Sequence, residues 1–182
     1  DLLVNQLGGG TRLWLNDGKG RFEEATDAAG LRSRSGATSM ALADVDGDGA
    51  LDLALAGSRP EASHPILRNT LPASAARRSL QVRVVDANGR ATMAGAEVRV
   101  YAAGTRTLLA TRWVDAGSGY DAQSDMPVHV GLTSMKPVDV EVTTLVAGTR
   151  VKAMVRRVSP ATYAKRALLV RAAPAPSGRG TR

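Results

Sequence analysis

The clearest pattern in the sequence is an alternation of apolar and polar residues in its second half. Four runs there place apolar residues at every second position: Leu80, Val82 and Val84; Ala96, Val98 and Val100; Val128, Val130 and Leu132; Val138, Val140 and Val142. A period of two with one polar face is typical of half-buried antiparallel strands. Because Gly-bearing turns separate the runs, the pattern predicts a small sandwich or barrel.

The flanks of this half carry four further predictions. Ser159 and Pro160 suit the cap and the first position of a helical turn. Residues 167–170 are apolar and predict a closing strand. Residues 71–78 have few core residues and predict a linker. Residues 173–182 are a low-complexity segment, and we expect a flexible tail because they bury too little to offset the entropy cost of ordering.

The first half has shorter apolar runs, residues 39–43 and 51–56, on either side of an acidic loop. Runs this short, bounded by Gly and Asp, favour buried strands over helices. The loop places four aspartates within nine residues, with two glycines among them: Asp44, Asp46, Gly47, Asp48, Gly49 and Asp52. Carboxylates at this density repel one another, so we expect the loop to need a cation.

Ca²⁺ is the cation that this spacing favours. Hard cations take roughly six to eight oxygen ligands from carboxylates and carbonyls on a flexible loop. The four aspartates can supply side-chain oxygens, and Ala50 can supply its backbone carbonyl. An EF-hand is excluded, because its twelfth position needs a bidentate acidic residue and Leu55 stands there. The alternative is an Asp-Gly turn without a metal, but such a turn needs only one Asp-Gly pair.

The acidic loop belongs to an internal repeat. Residues 1–4 repeat residues 52–55, and residues 13–16 match residues 66–69, so the two offsets differ by two residues. Fixed periods of this size indicate propellers or arrays. Asp1 is then the last carboxylate of an earlier loop, and we expect the rest of that loop, with the true N-terminus, to lie upstream.

Composition and charge limit the classes of function. Hydrophobic residues make up 43% of the 182 residues and aromatic residues 3%, so the core must be built from Val, Leu and Ala. No apolar run approaches the roughly 18–20 residues of a membrane span, and without cysteine there is neither a disulfide nor a thiolate metal site. The net charge of +7 raises the alternative of nucleic-acid binding, but the basic residues are scattered, which favours a solvated surface.

A catalytic role is not predicted. The chain has two histidines, His64 in a loop and His129 on the polar face of a strand. A Ser-His-Asp site needs an aligned nucleophile, base and orienting acid, and nothing in the pattern aligns these. Two histidines without cysteine also disfavour zinc. Residues 117–125 form the most distinctive polar run. They are either a ligand-binding loop or, as we favour, a tight turn whose side chains bond the backbone.

Two family resemblances follow from these motifs. Residues 13–22, 28–31 and 44–53 resemble FG-GAP/VCBS repeats, the blades of the integrin-α-like β-propeller. This resemblance covers residues 1–70. It implies that the side chains of Asp44, Asp46, Asp48 and Asp52, with the carbonyl of Ala50, bind Ca²⁺.

The second half resembles the ASPIC/UnbV domain, which follows FG-GAP repeats in the cartilage acidic protein family and its bacterial relatives. The matching stretches are residues 95–100, 117–125 and 128–132. One departure is that residues 143–148 stand where the family often has a Trp-Pro-Ser/Asn-Gly turn. The following hairpin is therefore expected to differ from the family pattern.

Together these observations predict an all-β protein, with partial β-propeller blades and a small antiparallel β-sandwich-like domain. We predict truncated FG-GAP/VCBS repeats at residues 1–72, an ASPIC/UnbV-like domain at 73–172 and the tail at 173–182. The expected function is a non-catalytic, calcium-stabilised module for binding or adhesion. We expect it to be bacterial and either secreted, periplasmic or at the cell surface, with a protein or carbohydrate partner. The alternatives are an accessory, non-catalytic region of a larger secreted enzyme and a basic nucleic-acid or polyanion binder.

Overall fold

The computed structural model describes residues 1–6, 10–31, 37–57, 64–91, 93–117, 127–146 and 148–172. Within them the secondary structure is β, apart from helical turns at Ala73–Ala76 and Pro160–Tyr163, which confirms the predicted all-β fold. No helix in this part of the chain is long and apolar enough to cross a membrane. The described residues form two compact units. The first unit draws on residues 1–45 and 51–69 with Gly117, and the second on residues 46–50, 70–116 and 127–172.

The first unit contains two three-stranded antiparallel sheets in which sequential strands are neighbours. One sheet has the order β1 (Leu2–Gln6), β2 (Gly10–Asn16), β3 (Phe22–Glu24), and the other the order β4 (Ala37–Ala43), β5 (Asp52–Gly57), β6 (Ile66–Leu67). Propeller blades are typically four-stranded sheets, so each sheet has three strands of a predicted blade within the described residues. Leu31, Leu53 and Leu55 form the buried cluster of this unit in the described part of the chain.

The internal repeat is also visible in the hydrogen bonds of the first unit. Asp1 precedes β1, and its Oδ1 accepts the backbone N–H of Asn16 at 2.9 Å. Asp52 begins β5, and its Oδ1 accepts the backbone N–H of Asn69 at 2.8 Å. The two aspartates therefore tie the starts of equivalent strands to equivalent positions later in each repeat.

The second unit packs two sheets on one apolar core, in agreement with the sandwich-like prediction. One sheet has the order β10 (Val128–Gly131), β7 (Ser79–Val85), β13 (Leu168–Arg171). The other has the order β12 (Thr149–Val158), β11 (Val138–Val146), β8 (Glu97–Ala102), β9 (Leu108–Trp113). The alternating valines of both sheets point into this core, and Val82, Val98, Val130 and Val140 are fully buried.

Some details of the second unit differ from the sequence prediction. The predicted closing strand at residues 167–170 is present as β13, but in the domain predicted to be antiparallel it pairs with β7 in parallel, with Leu168 opposite Val82. A parallel pair needs a long crossover, which the elements between β7 and β13 provide. The predicted linker contains the helical turn Ala73–Ala76, whose last residue is buried. The predicted turn at Pro160–Tyr163 is present, but the side chain of Ser159 makes no capping hydrogen bond.

Asp139 on β11 is a buried carboxylate, 3% exposed, where the register between β11 and β12 shifts. Its Oδ1 accepts the N–H of Arg157 at 2.7 Å, and its Oδ2 accepts the N–H of Gly104 at 3.0 Å. The Arg157 bond, followed by the Gly104 bond, lowers the pKa of Asp139 below its ordinary value, because both bonds favour the charged form. Arg157 has a φ of 53°, so the carboxylate binds a residue in the left-handed region.

Two predicted segments lie outside the described residues. They are the tail at residues 173–182 and, apart from Gly117, the polar run at residues 117–125. The predictions of a flexible tail and of a tight turn stay predictions.

Candidate metal centre

The acidic loop connects β4 to β5, which pair in antiparallel fashion with Ala43 opposite Asp52. The two short apolar runs predicted to be strands are therefore strands, and the loop is the connection of a β-hairpin. Its two glycines have φ values of 75° at Gly47 and 98° at Gly49. Since this left-handed region is open to glycine without steric cost, the glycines allow the chain to turn twice between the aspartates.

Three of the four predicted aspartates come together in this loop. Asp44, Asp46 and Asp48 each offer one carboxylate oxygen, and the three oxygens lie within 4.8 Å of one another. Asp44 and Asp48 are half-buried and Asp46 is exposed. Three negative charges at this separation repel one another, and a cation bound between them would turn that repulsion into attraction.

Hydrogen bonds within the loop orient two of these carboxylates. Asp46 Oδ1 accepts the N–H of Asp48 at 3.2 Å, and Asp48 Oδ1 accepts the N–H of Ala50 at 2.8 Å. A carboxylate has about four lone-pair positions, so accepting one N–H leaves capacity for a metal ion. Side-chain to backbone bonds of this kind are typical of Asp in turns.

Asp52 holds the two ends of the loop. It is 3% exposed, its Oδ2 accepts the N–H of Val45 at 2.9 Å, and its Oδ1 accepts the N–H of Asn69. Its carboxylate is outside the group of three, so the structure gives Asp52 a scaffolding role. Its predicted role as a metal ligand stays a prediction.

Ala50 is 3% exposed, and its N–H donates a hydrogen bond to Oδ1 of Asp48. The prediction that its carbonyl binds the metal stays a prediction.

Asn69, which sequence reasoning did not select, donates from its side chain to the carbonyl of Leu51 at 3.0 Å. The signal that points to it is its match with Asn16 in the internal repeat.

Residues of the second unit also contact the tip of the loop, which belongs to that unit. Gly49 is buried, and a Cβ added there would lie 2.6 Å from the carbonyl oxygen of Ala76. The carbonyl of Gly49 accepts a hydrogen bond from Nε2 of His129 at 3.0 Å. Sequence reasoning placed His129 on a polar strand face but had no means to find this contact, because the two residues are 80 positions apart.

The other histidine lies apart from these contacts. His64 Nδ1 accepts the N–H of Gly57 at 3.3 Å, at the end of β5. Each histidine therefore bonds a backbone group.

The donor set of the acidic loop fits a hard divalent cation. All of its candidate ligand atoms are oxygens, its side chains are anionic, and it lies on a glycine-containing turn. Carboxylate and carbonyl oxygens suit Ca²⁺, Mg²⁺ and Mn²⁺, whereas softer metals prefer nitrogen and sulfur. Ca²⁺ tolerates irregular geometry better than Mg²⁺.

Comparison with protein families finds a match in each half of the chain. A family model described as an FG-GAP-like repeat matches residues 1–55, which include the whole acidic loop. A model described as ASPIC and UnbV matches residues 86–143. The predicted boundary at residues 72 and 73 lies between the matches and stays a prediction. Comparisons with curated proteins and with solved structures find no match. The chain therefore carries an FG-GAP-like repeat followed by an ASPIC and UnbV domain.

Proposed function

We propose that this chain is a calcium-stabilised, non-catalytic binding module of an extracellular protein. The observation that carries the proposal is the convergence of Asp44, Asp46 and Asp48 on one point of the acidic loop. FG-GAP repeats are typical of extracellular or secreted proteins and are known to bind calcium. The extracellular location and the metal are therefore both in keeping with the family match.

The cation has a structural role in this proposal. The side chains of Asp44, Asp46 and Asp48 hold it, with the Ala50 carbonyl and Asp52 completing the family pattern. The cation supplies charge neutralisation. The chain brings the three carboxylates together on a turn, and Asp52 fixes the ends of that turn. Once its charge is neutralised, the loop keeps β4 and β5 in register.

The binding role rests on the family and on one exposed strand. β9 is at the edge of its sheet and carries three large apolar side chains that face solvent: Leu108, 52% exposed, Leu109, 44%, and Trp113, 61%. An edge strand with exposed apolar side chains is a template for pairing with another chain. We therefore propose that the partner is a protein or a carbohydrate.

Thermal unfolding tests the metal proposal. Addition of Ca²⁺ to chelator-treated protein should raise the melting temperature, because a ligand of the native state stabilises it by mass action. Ca²⁺ at 100 times its Kd stabilises by about 2.7 kcal/mol, which corresponds to a shift of roughly 5–10 °C. A double Asp46→Ala, Asp48→Ala variant should show no shift.

Two controls make this experiment specific. A double Glu23→Ala, Glu24→Ala variant removes the same charge from β3 and should keep the full calcium shift. Mg²⁺ should give a smaller shift than Ca²⁺, because it requires a nearly ideal octahedral site. An unchanged melting temperature of the wild-type chain at millimolar Ca²⁺ would contradict the proposal.

The net charge of +7 favours a second candidate, the binding of a polyanion. Phosphate binding by Lys and Arg weakens steeply with salt. A titration with heparin or duplex DNA at low ionic strength is the test. The absence of binding there excludes this candidate, while tight binding lost at physiological salt supports it.

A further inference from the structure

We propose that His129 is a positioning residue for the acidic loop, and that the affinity of the loop for Ca²⁺ depends on it. The inference rests on the proposed function, because it concerns how the same loop binds its cation. It is carried by the hydrogen bond of 3.0 Å between Nε2 of His129 and the carbonyl oxygen of Gly49.

The direction of this bond is fixed by its acceptor. A carbonyl oxygen can only accept, so Nε2 of His129 carries the proton and donates it. The imidazole is held on a rigid element. Its neighbours on β10, Val128 and Val130, are 8% and 0% exposed and belong to the apolar core of the second unit. A donor on a packed strand is held more precisely than one on a loop.

The carbonyl that His129 binds belongs to a peptide unit with a second role in the loop. The Gly49 carbonyl and the Ala50 N–H are the two polar ends of one planar peptide group. The Ala50 N–H donates to Oδ1 of Asp48 at 2.8 Å. His129 therefore fixes one end of the peptide plane whose other end orients the carboxylate of Asp48. Hydrogen bonds in such a chain polarise one another, and each strengthens the next.

The surroundings of Gly49 restrict this peptide further. Gly49 has a φ of 98°, and a Cβ there would lie 2.6 Å from the oxygen of Ala76 and 3.1 Å from Oγ of Ser79. The loop tip is thus packed against the end of the helical turn Ala73–Ala76 and the start of β7. The peptide has little room, and His129 provides the directional bond that selects its orientation.

Loss of that bond should weaken the binding of Ca²⁺. Without this bond the peptide between Gly49 and Ala50 can tilt within its limited space, so Asp48 takes orientations that do not bind Ca²⁺. The apparent affinity then falls in proportion to the fraction of molecules in the binding orientation. One net hydrogen bond corresponds to about a fivefold change in Kd. By linkage, the bound cation must strengthen the His129 bond by the same factor.

Calorimetric titration of Ca²⁺ into the whole chain tests the inference. His129→Ala should raise the Kd about fivefold. His129→Gln, whose amide N–H can donate to Gly49, should recover part of the loss. His64→Ala is the matched control: it also removes a histidine bonded to a backbone group, but one outside the loop, and its Kd should equal that of the wild type.

The outcomes separate the inference from the proposed function. Calcium binding to the wild type with an unchanged Kd for His129→Ala overturns the inference and leaves the proposed function standing. An equal loss in His64→Ala also overturns it, because the effect is then not specific to the loop. A wild type that does not bind Ca²⁺ overturns both.

A measurement on the wild type covers the case in which His129→Ala does not fold. The nitrogen resonances of the His129 ring should shift on addition of Ca²⁺ and saturate with the Kd measured by calorimetry. Those of His64 should stay constant. A His129 signal that does not respond while Ca²⁺ binds would overturn the inference.

Discussion

The two units of this chain are stabilised in different ways. Among the described residues, the second unit buries 15 apolar side chains in one cluster, whereas the first buries the three leucines Leu31, Leu53 and Leu55. Since apolar burial is the main favourable term in folding, the second unit gains more stabilisation from its core than the first. The first depends more on polar contacts, such as those of Asp52, and in our proposal on a cation. With fewer buried apolar side chains, the first unit draws a larger share of its stability from polar contacts.

The largest effect should come from a cavity in the core of the second unit. Leu80 is 1% exposed, and Leu80→Ala should cost about 2–5 kcal/mol, because the transfer and cavity terms add. Leu169 on β13 is 62% exposed, and Leu169→Ala should cost less than about 0.5 kcal/mol. Urea unfolding measures both, followed by Trp113 fluorescence in a Trp14→Phe background. Similar costs at the two positions would show that the buried apolar core does not set the stability of the second unit.

Asp139 is the polar exception in the second unit, and its replacement should have the next largest effect. Asp139→Ala removes a buried, charged acceptor and breaks its hydrogen bonds to the N–H groups of Arg157 and Gly104, which should cost about 2–3 kcal/mol. Urea unfolding at pH 7 measures this cost. A cost below about 0.5 kcal/mol, the range of ordinary surface changes, would show that the apolar core alone sets the stability of this unit.

The pH dependence of stability gives a second test of Asp139. Its pKa is lower in the folded chain than its ordinary value of 3.8, so the unfolded state binds its proton first as the pH falls. The contribution of Asp139 is therefore present above pH 3.8 and is lost as the pH falls through the folded pKa. The loss of stability between pH 5 and pH 2 should be smaller in Asp139→Asn than in the wild type. Parallel curves for the two proteins would contradict this assignment.

Asp52 tests the polar stabilisation of the first unit. Asp52→Ala removes the acceptor of two backbone N–H groups, from Val45 and Asn69, and should cost about 1–3 kcal/mol even in chelator. Trp14 lies on β2 in the first unit and can report its unfolding in a Trp113→Phe background. The matched control is Asp1→Ala. It removes the equivalent but exposed bond of the repeat and should cost less than about 0.5 kcal/mol.

Arg157→Gly should give the smallest effect, and in the opposite direction. A φ of 53° is unfavourable for arginine and open to glycine. We expect a gain of about 0.5–1 kcal/mol in the free energy of unfolding, less than the intrinsic strain because glycine also gains entropy in the unfolded chain. A clear loss would show that the arginine side chain contributes more than its backbone costs.

The sequence predicted most of the fold because alternation is a local signal. The valines at positions 82, 98, 130 and 140 lie in the core as their period of two indicates. The same signal does not reveal that β13 runs parallel to β7, because strand order and direction depend on contacts between residues far apart in the chain. The helical turn at Ala73–Ala76 was missed because four residues are too short for a periodic pattern.

The candidate site was predictable where its ligands are close in sequence. Asp44, Asp46 and Asp48 alternate within five residues, so their convergence needs only a turn. The roles of Asn69 and His129 were not predictable in the same way. Asn69 has a weak signal in the internal repeat, but the contact of His129 with Gly49 joins positions 80 apart. Such contacts follow from the packing of the whole unit and leave no trace in local spacing.

Direct titration of Ca²⁺ into the chelator-treated whole chain tests the central claim most directly. The account predicts saturable binding of one Ca²⁺ ion per chain, abolished by the double Asp46→Ala, Asp48→Ala variant and retained by the double Glu23→Ala, Glu24→Ala variant. No saturable binding to the wild type, or binding that the loop variant retains, would contradict it.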